Sequence, residues 1–390
     1  MSQSTTNDLA RYVSTRLAGI ESSGIIRMRR ECERLGAINL ASGTCELPPP
    51  VELQDAAAAA IRSGPNIYSL PEGVAELRHA IAAKLARDNA LTVDPDAEVT
   101  ITAGATGAYF AALLALVNPG DEVILFEPVY SWHRDAARMA GVTPRLVHLE
   151  PPAFRLDPDR LRAAIRPTTR AIVVCTPGNP SGRVLDEDEL AGIAAVAREH
   201  DLLVLSDEVY EYLVYDGRRH VSPASLAQLA DRTVSIMSLS KTFNVTGWRL
   251  GYVVARPELT RALRVAHDLM VTCAPTPLQH AAVAALRMPP SYHDGLRRSF
   301  QGKRDRLVDA LHAAGLEPQS PQGAYYVLAS HDKLGTEVPA EAAFELLRRA
   351  LVASVPGTTF CEPGRDRFLR FCFARDDAEL DEACRRLRRL

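Results

Sequence analysis

The stretch Ser238-Leu239-Ser240-Lys241-Thr242-Phe243-Asn244-Val245-Thr246-Gly247-Trp248-Arg249-Leu250-Gly251 sets one lysine and one arginine, eight residues apart, among small hydroxyl side chains. It joins two apolar runs, residues 234–237 and 250–254, each short enough to be a buried strand. Working outward, the same texture recurs at 99–102, 123–126, 171–174 and 202–206, and helix-like stretches such as 187–200 separate most of these runs. That is the βα alternation of a mostly parallel sheet sandwiched by helices, an α/β fold. A lysine just past a buried strand end is costly unless its charge is used or removed. Imine formation with an aldehyde removes it, and the arginine and serines would then hold an anion nearby. Taken alone, the stretch reads equally as a solvated surface loop.

The texture changes after about residue 255. Long helical stretches at 258–270, 278–286 and 292–314 precede apolar runs at 324–329 and 368–373, with further helices at 340–350 and 377–390. This predicts a smaller α+β unit. Upstream, Leu9, Tyr12, Val13, Leu17 and Ile20 recur at helical spacing at the start of 9–30, and 38–43 reads as a short strand ending in Gly43. Pro48-Pro49-Pro50 breaks the chain before an alanine-rich helix at 51–62, and a second helix runs through Leu77, Ile81 and Leu85. A chain of 390 residues exceeds a single core. The expected division is 1–48 as a segment packing on the small unit, 49–275 as the large domain and 276–390 as the small domain.

An apolar fraction of 47% with 24% charged residues is that of an ordinary globular protein. A net charge of −3 gives no global field to recruit nucleic acid or an anionic membrane. The seven cysteines are scattered, with no C-x-x-C, which argues against a metal site or a disulfide framework and for a reducing compartment. Residues 1–8 have no basic segment followed by an apolar core. The longest apolar run, 109–117, falls far short of the ~20 residues that span a bilayer. These features predict a cytoplasmic protein.

Ligands of open α/β sheets bind beyond the carboxyl ends of the strands. Three such ends carry unusual residues here. Ala103-Gly104-Ala105-Thr106-Gly107 is a glycine-rich turn opening a helix, which offers free N–H groups to a phosphate or is simply a tight turn. Thr176-Pro177-Gly178-Asn179-Pro180-Ser181-Gly182 is a rigid turn holding the Asn179 amide. Ser206-Asp207-Glu208-Val209-Tyr210 ends a buried run in an Asp that needs a cation, strong donors or a helix to cap.

Several motifs occur together in order and spacing: Tyr68-x4-Gly73-x3-Leu77-Arg78, Asn118-Pro119-Gly120-Asp121 with Pro128-Val129-Tyr130, Asn179-Pro180-Ser181-Gly182, Asp207-x2-Tyr210, Ser238-x-Ser240-Lys241-x7-Arg249-x-Gly251, Pro321-x-Gly323-Ala324-Tyr325, and Pro356-Gly357-x2-Phe360 with Arg370. In these the chain resembles the class I/II aminotransferases, the fold-type-I enzymes that use pyridoxal 5′-phosphate, from about residue 16 to the C-terminus.

The resemblance implies that Lys241 carries the cofactor as a Schiff base. Asp207 would pair with the ring nitrogen, Tyr210 and Asn179 would bond the phenolic oxygen, and Tyr130 would stack on the ring. Gly104 and the amides of Ala105 and Thr106, with Ser238 and Arg249, would bind the phosphate. Tyr68 would reach the phosphate of a neighbouring subunit, making a homodimer with shared sites. Arg370 would clamp the substrate carboxylate, with Asn179 and Gly43 beside it. An amino group would then move from an α-amino acid to a keto acid, with the freed Lys241 amine as the base.

The loop Gly43-Thr44-Cys45-Glu46-Leu47, Gly178 and Gly107 depart from the common family pattern. They leave substrate and reaction type open. The alternative on the same scaffold is a β- or γ-elimination or replacement enzyme, including one acting on S-adenosylmethionine. A non-catalytic regulatory relative ranks last, because Lys241, Asp207 and Arg249 are all present.

Overall fold

The computed structural model describes residues 9–20 and 24–390. The reading of residues 1–8 as free of a leader lies outside this range, as do residues 21–23. In chain order the regular elements are α1 (Gly24–Leu35), β1 (Ile38–Asn39), α2 (Val51–Ser63), α3 (Ala75–Asp88), β2 (Val99–Ala103), α4 (Gly104–Leu116), β3 (Glu122–Glu127), α5 (Ser131–Met139), β4 (Thr143–His148), α6 (Pro158–Ala164), β5 (Thr169–Cys175), α7 (Glu187–Glu199), β6 (Leu203–Asp207), β7 (Thr233–Ser238) and β8 (Leu250–Val254). The chain continues with α8 (Pro257–Val271), α9 (Thr276–Leu286), α10 (Pro290–Ala313), β9 (Pro318–Gln319), β10 (Tyr326–Ser330), α11 (Pro339–Ala350), β11 (Val352–Ala353), β12 (Val355–Pro356), β13 (Phe368–Cys372) and α12 (Asp377–Leu387).

Among the described residues, seven strands form the large sheet in the order β2-β8-β7-β6-β5-β3-β4. All neighbours in it are parallel except the pairs β8 makes with β2 and β7. All six runs read from the sequence are strands of this sheet. The one unread strand, β4, has the sequence Thr-Pro-Arg-Leu-Val-His and lies at the sheet edge, where a proline is tolerated and alternation is weak. Apolar clusters cover both faces, one around α4 and α5 and one around α7.

The smaller unit is a four-stranded antiparallel sheet, β12-β13-β10-β9, covered by α10, α11 and α12. Met28, Cys32, Leu40 and Ala41 are buried in the same cluster. The expected helix over 9–30 is corrected. Residues 9–12 and 15–17 form only short 3-10 turns, and the described helix spans Gly24–Leu35. The apolar residues of the first stretch find no core: Leu9, Tyr12, Val13 and Leu17 are all exposed. The expected strand at 38–43 is limited to Ile38–Asn39, paired in parallel with β11. The boundary expected at 275/276 falls before α9, whose Ala282, Val283 and Ala285 share a core with Leu53 of α2 and Leu77, Ile81 and Leu85 of α3.

Candidate active site

The ends of β2, β3, β5, β6 and β7 open on one cavity of about 510 Å³, closed on its far side by β10 and β13 of the small sheet. Lys241, Asp207, Tyr210, Asn179, Tyr130, Ala105, Thr106, Ser238, Arg249, Arg370 and Gly43 all line it. Residues from positions 43 to 370 thus converge on the ends of the strands. Two candidates stand apart. Gly104 does not line the cavity but spaces it: a Cβ there would collide with the Arg249 guanidinium. Tyr68 does not line this chain's cavity and is 79% exposed.

Lys241 follows the end of β7. Its Nζ donates to the Gly43 carbonyl at 3.3 Å and lies 5.9 Å and 5.7 Å from the ring centres of Tyr210 and Tyr325. No carboxylate lies within ion-pair distance of it among the described residues. Desolvation is the largest influence on the ammonium and lowers its pKa to about 8, against smaller raising effects from Cys372 and Asp207. The amine therefore passes from mostly charged to mostly neutral as the pH rises through that value.

Asp207, the last residue of β6, is buried, and its Oδ2 lies 2.9 Å from Nε2 of His133. No helix follows for it to cap. His133, in the first turn of α5, packs its ring on Tyr109 at 4.5 Å and meets Tyr130 edge-on at 5.2 Å. Sequence reasoning missed His133. Its signal was the spacing Tyr130-x2-His133, which puts both side chains at the start of one helix.

The helix α4 opens directly from β2 with no side-chain cap at Ala103, so its first amides point at the cavity without a capping partner. Arg249, in the left-handed region at φ 54°, bends back over this end and donates to the Thr106 hydroxyl at 2.8 Å and the Thr246 carbonyl at 2.9 Å. Gly251 allows β8 to pass close by, since a Cβ there would sit 2.6 Å from the Ala105 nitrogen. An open helix N-terminus, a hydroxyl and an arginine make an anion cradle.

Arg370 lies in β13 and has no solvent exposure. Its Nη1 donates to Asn179 Oδ1 at 2.9 Å and its Nη2 to the Ala41 carbonyl at 2.8 Å. The guanidinium lies 4.3 Å from the ring centre of Tyr326 and 4.8 Å from that of Phe360. Its buried Nε has no partner, and no described carboxylate pairs with it. A buried cation without a counter-ion is costly, and this one lines a cavity that an anion can enter. Arg375, also fully buried, contrasts with it. It donates to the carbonyls of Asn39, Ser42, Thr44 and Ala374, which fixes the loop carrying Gly43. The sequence did not single out Arg375 or Tyr326.

The family model for aminotransferase class I and II matches residues 36–387. The chain is 37% identical to a probable N-succinyldiaminopimelate aminotransferase of Mycobacterium tuberculosis, over 96% of this chain and 97% of that one. It is 36% identical to a methionine aminotransferase of Escherichia coli, over 91% of this chain and 92% of the other. Among solved structures, an N-succinyldiaminopimelate aminotransferase from Mycobacterium tuberculosis superposes with a TM-score of 0.93 at 38% identity, covering 96% of this chain and 99% of that chain.

Proposed function

Because the chain belongs to the class I and II aminotransferases and is an aminotransferase, we propose that it moves an amino group between an α-amino acid and a keto acid with pyridoxal 5′-phosphate held at Lys241. The observation that carries this reading is the pairing of two unneutralised groups in one cavity: the Arg370 guanidinium and the desolvated Lys241 amine. An α-amino acid carries the carboxylate the first lacks, and an aldehyde cofactor reacts with the second.

The residues present fit the cofactor. The cradle formed by α4, Thr106, Ser238 and Arg249 suits its phosphate, and the space at Gly104 and Gly251 would be closed by any Cβ. Asp207 offers a carboxylate to the ring nitrogen, with His133 holding its other side. Tyr210 and Asn179 offer polar groups to the phenolic oxygen, and Tyr130 offers a ring face. When bound, the cofactor supplies an aldehyde for amines and a ring that accepts electrons from the substrate α-carbon.

The chain's own groups do the rest. Arg370, with Asn179 and Gly43, orients the substrate carboxylate. Lys241, once free, is a neutral amine at mildly alkaline pH and takes or returns the α-proton. Burial raises the Tyr210 phenol well above its ordinary pKa, so it remains a donor throughout. The active unit in this reading is a homodimer in which Tyr68 completes the partner's phosphate site. Its support is the exposed apolar loop with Ile67, Tyr68 and Leu70 at 74%, 79% and 66% exposure. A cytoplasmic location belongs to the same reading. Its support is seven cysteines without a disulfide among the described residues, while no described helix is long and apolar enough to cross a membrane.

The test is to mix purified protein with a panel of amino acids and keto acids and to measure keto acid, ammonia and thioether release, with the visible absorbance of bound cofactor. Keto-acid release without ammonia is expected. Lys241→Ala is expected to lose turnover and the visible band. Arg370→Gln is expected to keep the band and lose about 3 kcal/mol of substrate interaction, roughly a hundredfold in kcat/KM. Ammonia or thioether as the main product would overturn transamination, and full activity in Lys241→Ala would overturn the assignment of the lysine.

A further inference from the structure

Among the hydroxyls of the cavity wall, that of Tyr326 joins two parts of the proposed site. Tyr326 is buried at the start of β10, and its hydroxyl lies 2.9 Å from that of Tyr210. Its ring sits under the Arg370 guanidinium at 4.3 Å. The sheet register explains both contacts. Leu328 pairs with Arg370 across β10 and β13, so Tyr326, two residues earlier, is the diagonal neighbour of Arg370 on the same face. Gly43 leaves room for the hydroxyl, since a Cβ at Gly43 would lie 2.5 Å from it. One side chain therefore touches both the carboxylate clamp and the tyrosine offered to the cofactor's phenolic oxygen.

We propose that Tyr326 is a positioning residue that relays occupancy of the Arg370 clamp to the Tyr210 hydroxyl, and so tunes the protonation of the bound cofactor. The proposal rests on the pyridoxal 5′-phosphate reading. When the Tyr210 proton is turned to the phenolic oxygen, Tyr326 is the donor of the hydroxyl pair, and with the clamp empty the cation over its ring draws electron density from the phenol and strengthens that donation. Tyr210, polarised in turn, donates more strongly to the phenolic oxygen. A substrate carboxylate neutralises Arg370 and relaxes the chain. A weaker donor stabilises the more negative state of the cofactor less, which raises the pH at which its visible band changes. Substrate binding thus resets the protonation state from a distance.

The groups facing this relay come from every packed element. Arg370 and Cys372 of β13 face Tyr326, as does Tyr130 before α5, and the ring of its neighbour Tyr325 lies 4.8 Å away. Tyr325, Cys175 of β5 and Lys241 face Tyr210. Burial raises the pKa of both relay phenols, so both stay protonated and the hydrogen bond persists across the working range. A second route from the clamp runs through the bond from Arg370 Nη1 to Asn179 Oδ1.

The experiment titrates the visible absorbance of the cofactor-bound protein against pH, with and without propionate, a carboxylate that has no amino group. Wild type, Tyr326→Phe, Tyr210→Phe and the double variant are compared. Propionate is expected to raise the wild-type midpoint. Tyr326→Phe, which keeps the ring under Arg370, is expected to raise the midpoint by about half a pH unit without propionate. It is also expected to lose half or more of the propionate-induced shift, with little change in propionate affinity. In the Tyr210→Phe background, Tyr326→Phe is expected to add nothing. A Tyr326→Phe midpoint and propionate shift equal to wild type would overturn the relay, as would equal effects in both Tyr210 backgrounds. A wild-type protein that binds no cofactor would overturn the cofactor reading, and the relay with it.

Discussion

Lys241 illustrates how one residue's environment sets both its chemistry and its cost. Desolvation lowers its pKa from 10.5 to about 8. Between those values the unfolded chain holds a proton on this lysine and the folded chain does not. Stability therefore rises with pH across that window, and below it the folded state carries the full penalty of a buried charge. In cofactor-free protein, Lys241→Met removes the penalty. The variant is expected to melt higher than wild type at pH below about 8, and the gap is expected to narrow toward pH 10. Thermal midpoints across that range check this, and a gap independent of pH would contradict the desolvation account. The sequence made this lysine legible because it combined a strand end, small hydroxyls and an arginine at fixed spacing. His133 and Tyr326 were not legible in the same way. A histidine in a helix and a tyrosine in a strand are ordinary core residues until the fold brings Asp207 to one and Arg370 to the other.

At the scale of elements, the strand ends need fixing as much as the side chains on them. The end of β6 carries Asp207 and the turn after it carries Tyr210, and the residue after Tyr210, Glu211, is buried against α3. Glu211 pairs there with Lys84 at 2.5 Å, and Asn89 bonds both, accepting from Lys84 at 2.7 Å and donating to Glu211 at 2.8 Å. The pair is a weak source of net stability but costly to break. Lys84→Met leaves a buried carboxylate with only Asn89 and is expected to cost ~3–5 kcal/mol. Adding Glu211→Leu is expected to recover most of that. Denaturant midpoints of the single and double variants check it, and an equally unstable double variant would show that packing, not charge, is what matters there. The sequence could not reveal this pair, whose members are 127 positions apart. It did reveal the alternating elements themselves, because strands buried on both faces must be apolar throughout. Residues 9–20 misled because helical spacing of apolar residues predicts a helix only where something covers them.

For the whole molecule, exposed large apolar side chains beyond those of residues 9–20 form a further unexplained surface. Ile67, Tyr68 and Leu70 project from the loop between α2 and α3, and Val265 and Leu269 of α8 are 61% and 83% exposed. A lone chain gains nothing from holding these side chains in water. A two-fold contact would bury them and carry Tyr68 to the other chain's cavity, where the Arg249 cradle lies open. Such a site has a property no single-chain site shares: its two halves can be inactivated on different subunits. In such a dimer Tyr68→Arg would damage only the site of the partner, and Lys241→Ala would damage only the site of its own chain. Each homodimeric variant is expected to be inactive or nearly so. After subunit exchange, a mixed dimer has one cavity carrying both defects and one carrying neither. Mixing equal amounts and allowing full exchange is therefore expected to restore about a quarter of wild-type activity, since half the dimers are mixed and each has one intact site of two. Exchange is verified by mass tags on the two variants. No recovery with exchange verified, or full activity in a monomer at the assay concentration, would mean that Tyr68 serves its own chain and that the exposed loop has another purpose.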